Sequence, residues 1–346
     1  MKRSLEEIND LGEAIAVKCY NKFDQLLSHG KPSSNEWTHL AAFVSVNDNN
    51  QIEILSIGTG TKCLGGDKQE RGTEGCLLHD SHAEVIARRA LMRLFYEEIL
   101  NEHNSILIKQ DKNKFYLNKS LRLYLFVSYA PCGAAAYLSD PIKRPKLEHK
   151  NLNSIGEELY LKPGKGYATT SLSCTNKINR WIYQGLAGNL LNQLIISSIK
   201  LTGLIIQTDK DLSSIFKNID VICVNNQFSY GPSLERIRPC SMSIAWWFNL
   251  SLSSSSITVD GYLLGLTKKN RHKQKYASPL AKCSLFKLYL QLMDNLSSTE
   301  TSYAHAKTLS SNSLTDQFML NNPQWIRTDP NIFYAFTLSS STNSSS

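Results

Sequence analysis

The spacing of apolar residues divides the chain into an opening helix, a series of strands and two later helices. Ile8, Leu11, Ile15 and Cys19 recur at three- and four-residue intervals and predict an amphipathic helix near the start. After Gly30-Lys31-Pro32 the period changes. Residues 38–44 and 52–57 are β-prone apolar runs separated by an Asn-rich turn at 47–50, which predicts a hairpin. Residues 58–75 are Gly-rich and read as loop. From 81 to 100, Ala83, Ile86, Ala87, Ala90, Leu91, Leu94 and Phe95 follow helical spacing and predict a long amphipathic helix. Residues 121–130 are mostly apolar, as a strand buried on both faces requires. Pro131 ends that strand, and a short helix is expected from Cys132. Residues 201–207 and 221–224 predict further strands, and 282–296 a second amphipathic helix. Strands alternating with helices predict an α/β sheet.

Composition narrows the class. A chain of 346 residues that is 42% hydrophobic and 20% charged can bury a full core. Ser/Thr-rich stretches at 251–256, 297–302 and 338–346 read as loops and a tail, so one domain over 1–337 with a Ser-rich tail at 338–346 is expected. Lys and Arg number 38 against 30 Asp and Glu, a net charge of +8 that favours polyanionic partners such as nucleic acid. Residues 1–27 mix charges among apolar positions and carry no signal-peptide core. No apolar run approaches the roughly 20 residues needed to span a bilayer. The eight cysteines are scattered, which suits free thiols or metal ligands better than a disulfide framework. An intracellular soluble protein is expected, in the nucleus or the cytoplasm.

Three short segments carry chemistry: His82-Ala83-Glu84, Pro131-Cys132-Gly133 and Ser173-Cys174. Zinc takes neutral His and deprotonated Cys around a tetrahedron, with one corner open for water when the site is catalytic. His82 opens a predicted helix and Cys132 follows a predicted strand; helix N-termini favour thiolate and carboxylate. A carboxylate beside a zinc site can carry a proton from water to a ring nitrogen and on to a leaving amine. Zinc nucleobase deaminases share this H-x-E and P-C pairing. Each segment has a plainer reading. Ser81-x-x-Glu84 is also a capping box, and Cys132 also suits a small buried apolar position. The P-C-x-x-C pair is absent, since Gly-Ala-Ala follows Cys132, and spacing alone does not identify the third ligand.

Read together, Gly60-Thr61-Lys62-Cys63, His82-Ala83-Glu84, Pro131-Cys132-Gly133 and the run from Ser173-Cys174 to Arg180-Trp181 resemble the adenosine deaminases acting on RNA. Glu36-Trp37-Thr38-His39-Leu40-Ala41-Ala42, Lys162-Pro163-Gly164-Lys165-Gly166 and Gly265-Leu266-Thr267-Lys268-Lys269 are similar to the family's tRNA-specific branch. The resemblance extends from the first helix to Trp325-Ile326-Arg327. It implies a cytidine-deaminase-like mixed sheet flanked by helices, with a C-terminal extension packed on the same core. It also implies that His82, Cys132 and Cys174 bind zinc and that Glu84 is the proton shuttle. The implied product is inosine, from the adenosine immediately 3′ of the anticodon (position 37) of alanine tRNA. Thr61 and Lys62 would lie beside the flipped nucleotide, whose extrusion is cheapest from a single-stranded loop.

The same resemblance implies a buried inositol hexakisphosphate. Its expected ligands are Arg88, Arg89, Lys177, Arg180, Trp181, Lys268, Tyr303, Lys307 and Trp325, because a buried polyanion needs several cations and donors. Asp80 and Lys177 match the family's relay between that ligand and the metal. The expected partner is tRNA, with no DNA and no membrane, and the expected state is a monomer. Two departures stand out: Ala134, Ala135 and Ala136 replace a more polar stretch, and His79 stands where some relatives have Asn. No site is assigned within 186–243. Editing of double-stranded or other structured RNA is the main rival; no stretch reads as a separate double-stranded RNA-binding domain. A non-catalytic RNA-binding homologue would be expected to lack the glutamate, and Glu84 is present. A free-nucleoside deaminase would need far less chain.

Overall fold

A computed structural model describes residues 4–66, 74–111, 114–139, 149–150, 159–162, 169–249, 254–293, 302–310, 313–326, 334 and 336–338. Helix α1 covers Leu5–Gln25 and opens on a reciprocal cap between Ser4 and Glu7. The predicted hairpin is β1 (Leu40–Val46) and β2 (Ile52–Thr59), and the long helix is α2 (Ala83–Leu100). Next come β3 (Arg122–Val127), α3 (Ala134–Ser139) and α4 (Cys174–Gln184). Strands β4 (Gly203–Gln207), β5 (Asp220–Val224), β6 (Met242–Trp247), β7 (Ser254–Val259) and β8 (Tyr262–Leu263) follow. Helices α5 (Lys282–Met293), α6 (Tyr303–Leu309) and α7 (Ser313–Asn321) complete the order.

The eight strands form one sheet in the order β5-β4-β3-β1-β2-β6-β7-β8. Strands β5, β4 and β3 run parallel, and every pairing from β3 through β1 to β8 is antiparallel. All seven residues of β1 are buried because helices cover both faces of the sheet. Side chains alternate across a strand. Leu40, Ala42, Val44 and Val46 therefore pack with Ile15, Ala16, Cys19 and Phe23 of α1. Ala41 and Phe43 pack on the other face with Ile86, Ala87, Ala90, Leu91 and Leu94 of α2. Each such Leu, Ile or Phe contributes about 1.5–3 kcal/mol when fully buried. Phe286 and Tyr289 of α5, Ala306 of α6 and Phe336 join the α2 cluster. The C-terminal extension thus packs on the same core, as expected, and the fold is a mixed α/β sheet flanked by helices.

Three local expectations are revised. The expected loop at 58–75 contains a short strand, Thr61–Cys63, paired antiparallel with Asp80–His82. That pairing holds Ser81 extended, so α2 starts at Ala83 with His82 as N-cap, and no side-chain capping bond forms. The capping-box reading of Ser81 and Glu84 falls with it. The helix expected from Cys132 begins at Ala134, after Gly133 turns the chain. Residues 254–256, expected as loop, belong to β7. Pairing with β6 outweighs their weak strand propensity, and Ser256 and Thr258 are buried. Residues 67–73, 163–166, 251–253, 297–301, Arg327 and the tail at 339–346 lie outside the described residues. Among those described, no helix is long and apolar enough to cross a membrane.

Gly58 decides how closely α2 sits on the sheet. A Cβ there would lie 2.3 Å from the Ala87 nitrogen and 2.4 Å from the Ala83 carbonyl oxygen, both backbone atoms that cannot swing away. Gly58→Ala is expected to lower stability by about 2–3 kcal/mol through overpacking, read as a shift of the urea midpoint. An unchanged midpoint would mean that the helix start is free to move.

Candidate metal centre and a cation-lined cavity

Three segments distant in sequence converge at one end of α2. His82 ends the short strand at Asp80–His82 and caps the helix. Cys132 follows β3, and Cys174 is the first residue of α4 behind the N-cap Ser173. The last two segments are tied together locally. The Thr175 N–H donates to the Cys132 carbonyl at 3.0 Å, and the Cys174 N–H donates to Cys132 Sγ at 3.2 Å. Gly133 has φ +102°, and a Cβ there would lie 2.4 Å from Ser173 Oγ. Only glycine lets these two segments meet so closely. Ala135 is fully buried, so the alanine stretch fits the close packing of this region.

His82 Nδ1 lies 3.8 Å from Cys132 Sγ and 3.6 Å from Cys174 Sγ. All three ligand atoms fall within 4.8 Å of one another. With Zn–S near 2.3 Å and Zn–N near 2.0 Å, tetrahedral ligation requires S···N separations of about 3.5 Å. One His and two Cys at this spacing fit zinc with one corner open. The hydrogen bond from Cys174, with Lys162 and His82 adding positive charge, pulls the Cys132 thiol well below its ordinary range. Glu84 is buried in the first turn of α2, and its charge is felt at Cys174.

Thr61 and Lys62 lie on the strand paired with Asp80–His82, opposite His82 and Ser81. Lys62 is exposed, and the Thr61 hydroxyl is buried without a partner. His39, within the Glu36–Ala42 run, also belongs to this corner. Its ring stacks on Tyr129 at 4.9 Å, and its buried Nδ1 has no partner. Burial first, then His82, lower its pKa to about 4.

Asp80 links the His82–Cys132–Cys174 cluster to a second feature. Its Oδ1 accepts the His82 N–H at 3.1 Å. Lys162 donates to both carboxylate oxygens, at 2.9 and 2.7 Å, and to Cys174 Sγ at 3.2 Å. Lys177 also donates to Oδ2, and Ser171 reaches the same oxygen at 3.0 Å. Burial alone would raise the Asp80 carboxyl, but Lys162 and Lys177 overcome it and hold the group well below its ordinary range. Lys162 is fully buried, and sequence reading assigned it no role. Its only local signal is the Lys162-Pro163-Gly164 motif; the contact itself is 82 residues distant.

Beyond Lys177 lies a cavity of about 390 Å³ lined by six cations: Arg88, Arg89, Lys177, Arg180, Lys282 and Lys307. Trp181, Tyr303 and Trp325 also line it, and Asp80 is its only carboxylate among the described residues. Arg88 lies over Trp181 at 5.2 Å, and Arg180 over Trp325 at 5.4 Å. The Arg89 Nε–H donates to the Leu280 carbonyl at 2.7 Å. The buried Nε of Arg88 and Nε2 of Gln184 have no acceptor. Burial first and then neighbouring cations lower Arg88 to about 9, Lys307 to about 8 and Lys282 to about 7. Lys268 does not join this set; it stands exposed at the start of a short 3-10 turn. Lys282, on the first turn of α5, is there instead. An isolated lysine ahead of an amphipathic run carries no local mark of such a position.

Comparison with known proteins agrees with this geometry. The chain is 29% identical over 327 residues to a tRNA-specific adenosine deaminase 1 of Drosophila melanogaster, covering 81% of each chain. It is 26% identical over 360 residues to its Schizosaccharomyces pombe counterpart, covering 88% of this chain and 91% of the relative. A double-stranded RNA-specific adenosine deaminase of Rattus norvegicus is 30% identical over 218 residues, which span 53% of this chain and 18% of that protein. Residues 56–219, which contain His82, Glu84, Cys132 and Cys174, match the adenosine-deaminase (editase) domain, and the similarity to tRNA-specific adenosine deaminases extends over most of the chain.

Proposed function

We propose that this protein is a zinc-dependent deaminase that converts adenosine to inosine at position 37 of alanine tRNA, acting as a monomer. The observation that carries the reading is the meeting of His82 Nδ1, Cys132 Sγ and Cys174 Sγ within 4.8 Å at the helix end that bears Glu84. Zinc, when bound, supplies Lewis-acid activation of water near neutral pH. Glu84 would take one proton from the attacking water and pass it to purine N1 as the water oxygen bonds to C6. It would then take the second proton, from the new hydroxyl, and pass it to the exocyclic amine, which leaves as ammonia when the C6–N6 bond breaks. The buried position of Glu84 limits loss of that proton to solvent. Thr61 and Lys62 flank the target nucleotide, the lysine meeting phosphate and the hydroxyl meeting sugar or base. The tRNA-specific names of the first two relatives favour tRNA over double-stranded RNA.

The cation-lined cavity fits an inositol hexakisphosphate. Six cations face one carboxylate that is already engaged by Lys162 and Lys177, and two buried donors lack acceptors. A buried surplus of this kind is costly without a polyanion. Arg88, Arg89, Lys177, Arg180, Lys282 and Lys307 would hold it, with Gln184 as a neutral donor. Through Lys177, Asp80 and Lys162 its charge would reach Cys174.

The decisive experiment measures zinc and phosphorus in the purified protein and incubates it with alanine tRNA transcript, with inosine scored by position. Formation of inosine at 37 with about one zinc per chain is expected. Active protein without zinc would remove the metal assignment, and protein without phosphorus the polyanion.

A pH dependence follows from the lowered lysines. Lys282 and Lys307 titrate near 7 and 8 in the folded protein, below their unfolded value. Between about pH 7 and 10 the unfolded chain therefore binds more protons, and polyanion-free protein gains stability as pH rises. A bound polyanion favours the charged lysines and raises their pKa values. Loading should take up protons and weaken as pH rises through the same window. Calorimetric titration with inositol hexakisphosphate in buffers of different ionisation enthalpy reads the proton uptake directly; no uptake between pH 7 and 9 would contradict this account.

A further inference from the structure

Charge is concentrated in one short segment that the proposed chemistry does not use. Residues 268–275 read KKNRHKQK and hold five of the chain's 38 Lys and Arg residues. The whole chain carries a net charge of +8, and no Asp or Glu occurs between Gly261 and Met293. Lys268, Lys269, His272, Lys273 and Lys275 are exposed. Among the described residues, none of the lysines in this segment nor Arg271 forms a salt bridge with a carboxylate.

Backbone bonding holds these charges in place. Two 3-10 turns, Lys268–Asn270 and Gln274–Tyr276, are closed by bonds such as Asn270 N to the Thr267 carbonyl at 2.9 Å and Tyr276 N to the Lys273 carbonyl at 3.0 Å. Gln274 Nε2 donates to the Thr337 carbonyl at 2.8 Å, which pins the segment to the C-terminal extension. Arg271 leans over the Tyr262 ring at 5.0 Å. Lys269, His272, Lys273 and Lys275 line one groove with Glu74 and Phe336. Like charges fixed this close repel one another, and a flexible exposed run would relieve that repulsion by spreading. This one is held together.

We propose that residues 268–275 form a second RNA-contact surface that takes the phosphate backbone of a tRNA arm outside the anticodon loop. The inference rests on the tRNA substrate of the proposed function. A sugar–phosphate backbone offers repeated single charges to a groove of spaced lysines, and such contacts position an RNA without reading its sequence. A membrane surface is disfavoured because Tyr276, 37% exposed, is the only large apolar side chain exposed in this stretch.

The test is a triple substitution, Lys269→Gln, Lys273→Gln and Lys275→Gln, in the full chain. Binding of alanine tRNA transcript and of an isolated anticodon stem-loop is followed by fluorescence anisotropy at several salt concentrations. A charge-matched control carries Lys200→Gln, Lys210→Gln and Lys217→Gln, all exposed elsewhere. Loss of three phosphate contacts is expected to weaken whole-tRNA binding about tenfold or more near 0.1 M salt. The slope of log K against log salt should fall by about 2–3. Stem-loop binding, the control variant and kcat at saturating tRNA should stay at parent values. Unchanged whole-tRNA binding overturns the proposal, as does an equal loss for both RNAs or an equal loss in the control. Transfer of the parent protein onto phosphatidylserine vesicles, abolished by the triple substitution while tRNA binding persists, also overturns it. If the triple variant is unstable, Lys273→Gln with Lys275→Gln is read in the same way, with a proportionally smaller change in slope. Inosine formation by the parent protein is scored separately. A parent that forms no inosine but loses tRNA affinity on substitution removes the deaminase reading and keeps the surface. A parent that forms inosine while the variant binds both RNAs unchanged removes the surface alone.

Discussion

Glu84→Gln is expected to lower the single-turnover rate of inosine formation by about 10³-fold, within the range a positioned acid–base group supplies, while leaving fold and zinc content intact. Glutamine keeps the shape and one acceptor oxygen of the side chain but cannot take up a proton. The structure separates this effect from a helix-capping one. His82 is the N-cap of α2, and Ser81 sits in a strand, so Glu84 has no reciprocal capping bond to lose. The thermal midpoint should therefore move little, whereas loss of a real cap typically costs about 1 kcal/mol. Inosine formation within tenfold of the parent would remove Glu84 from the role of proton carrier. A fall in rate that tracks a loss of zinc would instead make it a residue that holds the site together.

Asp80→Asn should be the most destabilising single change near the site. It leaves Lys162, fully buried, and Lys177 facing a neutral amide. Removing one partner of a buried ion pair costs about 3–5 kcal/mol because the remaining charge is uncompensated. Adding Lys162→Met should recover much of that loss. A double variant no more stable than Asp80→Asn alone would mean that the cost lies elsewhere, for instance in the lost bond from the His82 N–H. The acid limb of stability supplies a second readout. The Asp80 carboxyl is held well below its ordinary range, so its stabilisation is complete above the usual carboxylate pKa of about 3.9. It is lost as pH falls through the lower folded value. Parent protein should take up a proton at Asp80 on acid unfolding, and Asp80→Asn should not.

Elements whose dihedral and burial patterns are local were legible before the structure. The period of Ile86, Ala87, Ala90, Leu91 and Leu94 marks α2, and the mostly apolar run at 121–130 marks β3 as a strand covered on both faces, because spacing encodes which side of an element meets the core. The same local rules misassigned Ser81 and residues 254–256. Strand partners distant in sequence decided those positions: Lys62 opposite Ser81, and Ala245 opposite Ser256.

The chemistry divides along the same line. Amino-acid types alone marked His82, Glu84 and Cys132 as a zinc-type set, and the excess of Lys and Arg marked a basic chain. The chain order does not say that Cys174 meets His82 across 92 residues; that follows from the closeness of α2 to the sheet at Gly58 and the contact at Gly133. Tertiary structure alone brought Lys162 under Cys174, moved Lys282 into the cation-lined cavity and left Lys268 outside it. A single lysine carries the same local signal whether it is solvated, paired or facing a cavity. Only the arrangement of the elements around it distinguishes those states, because charge energetics depend on burial and neighbours rather than on position in the chain.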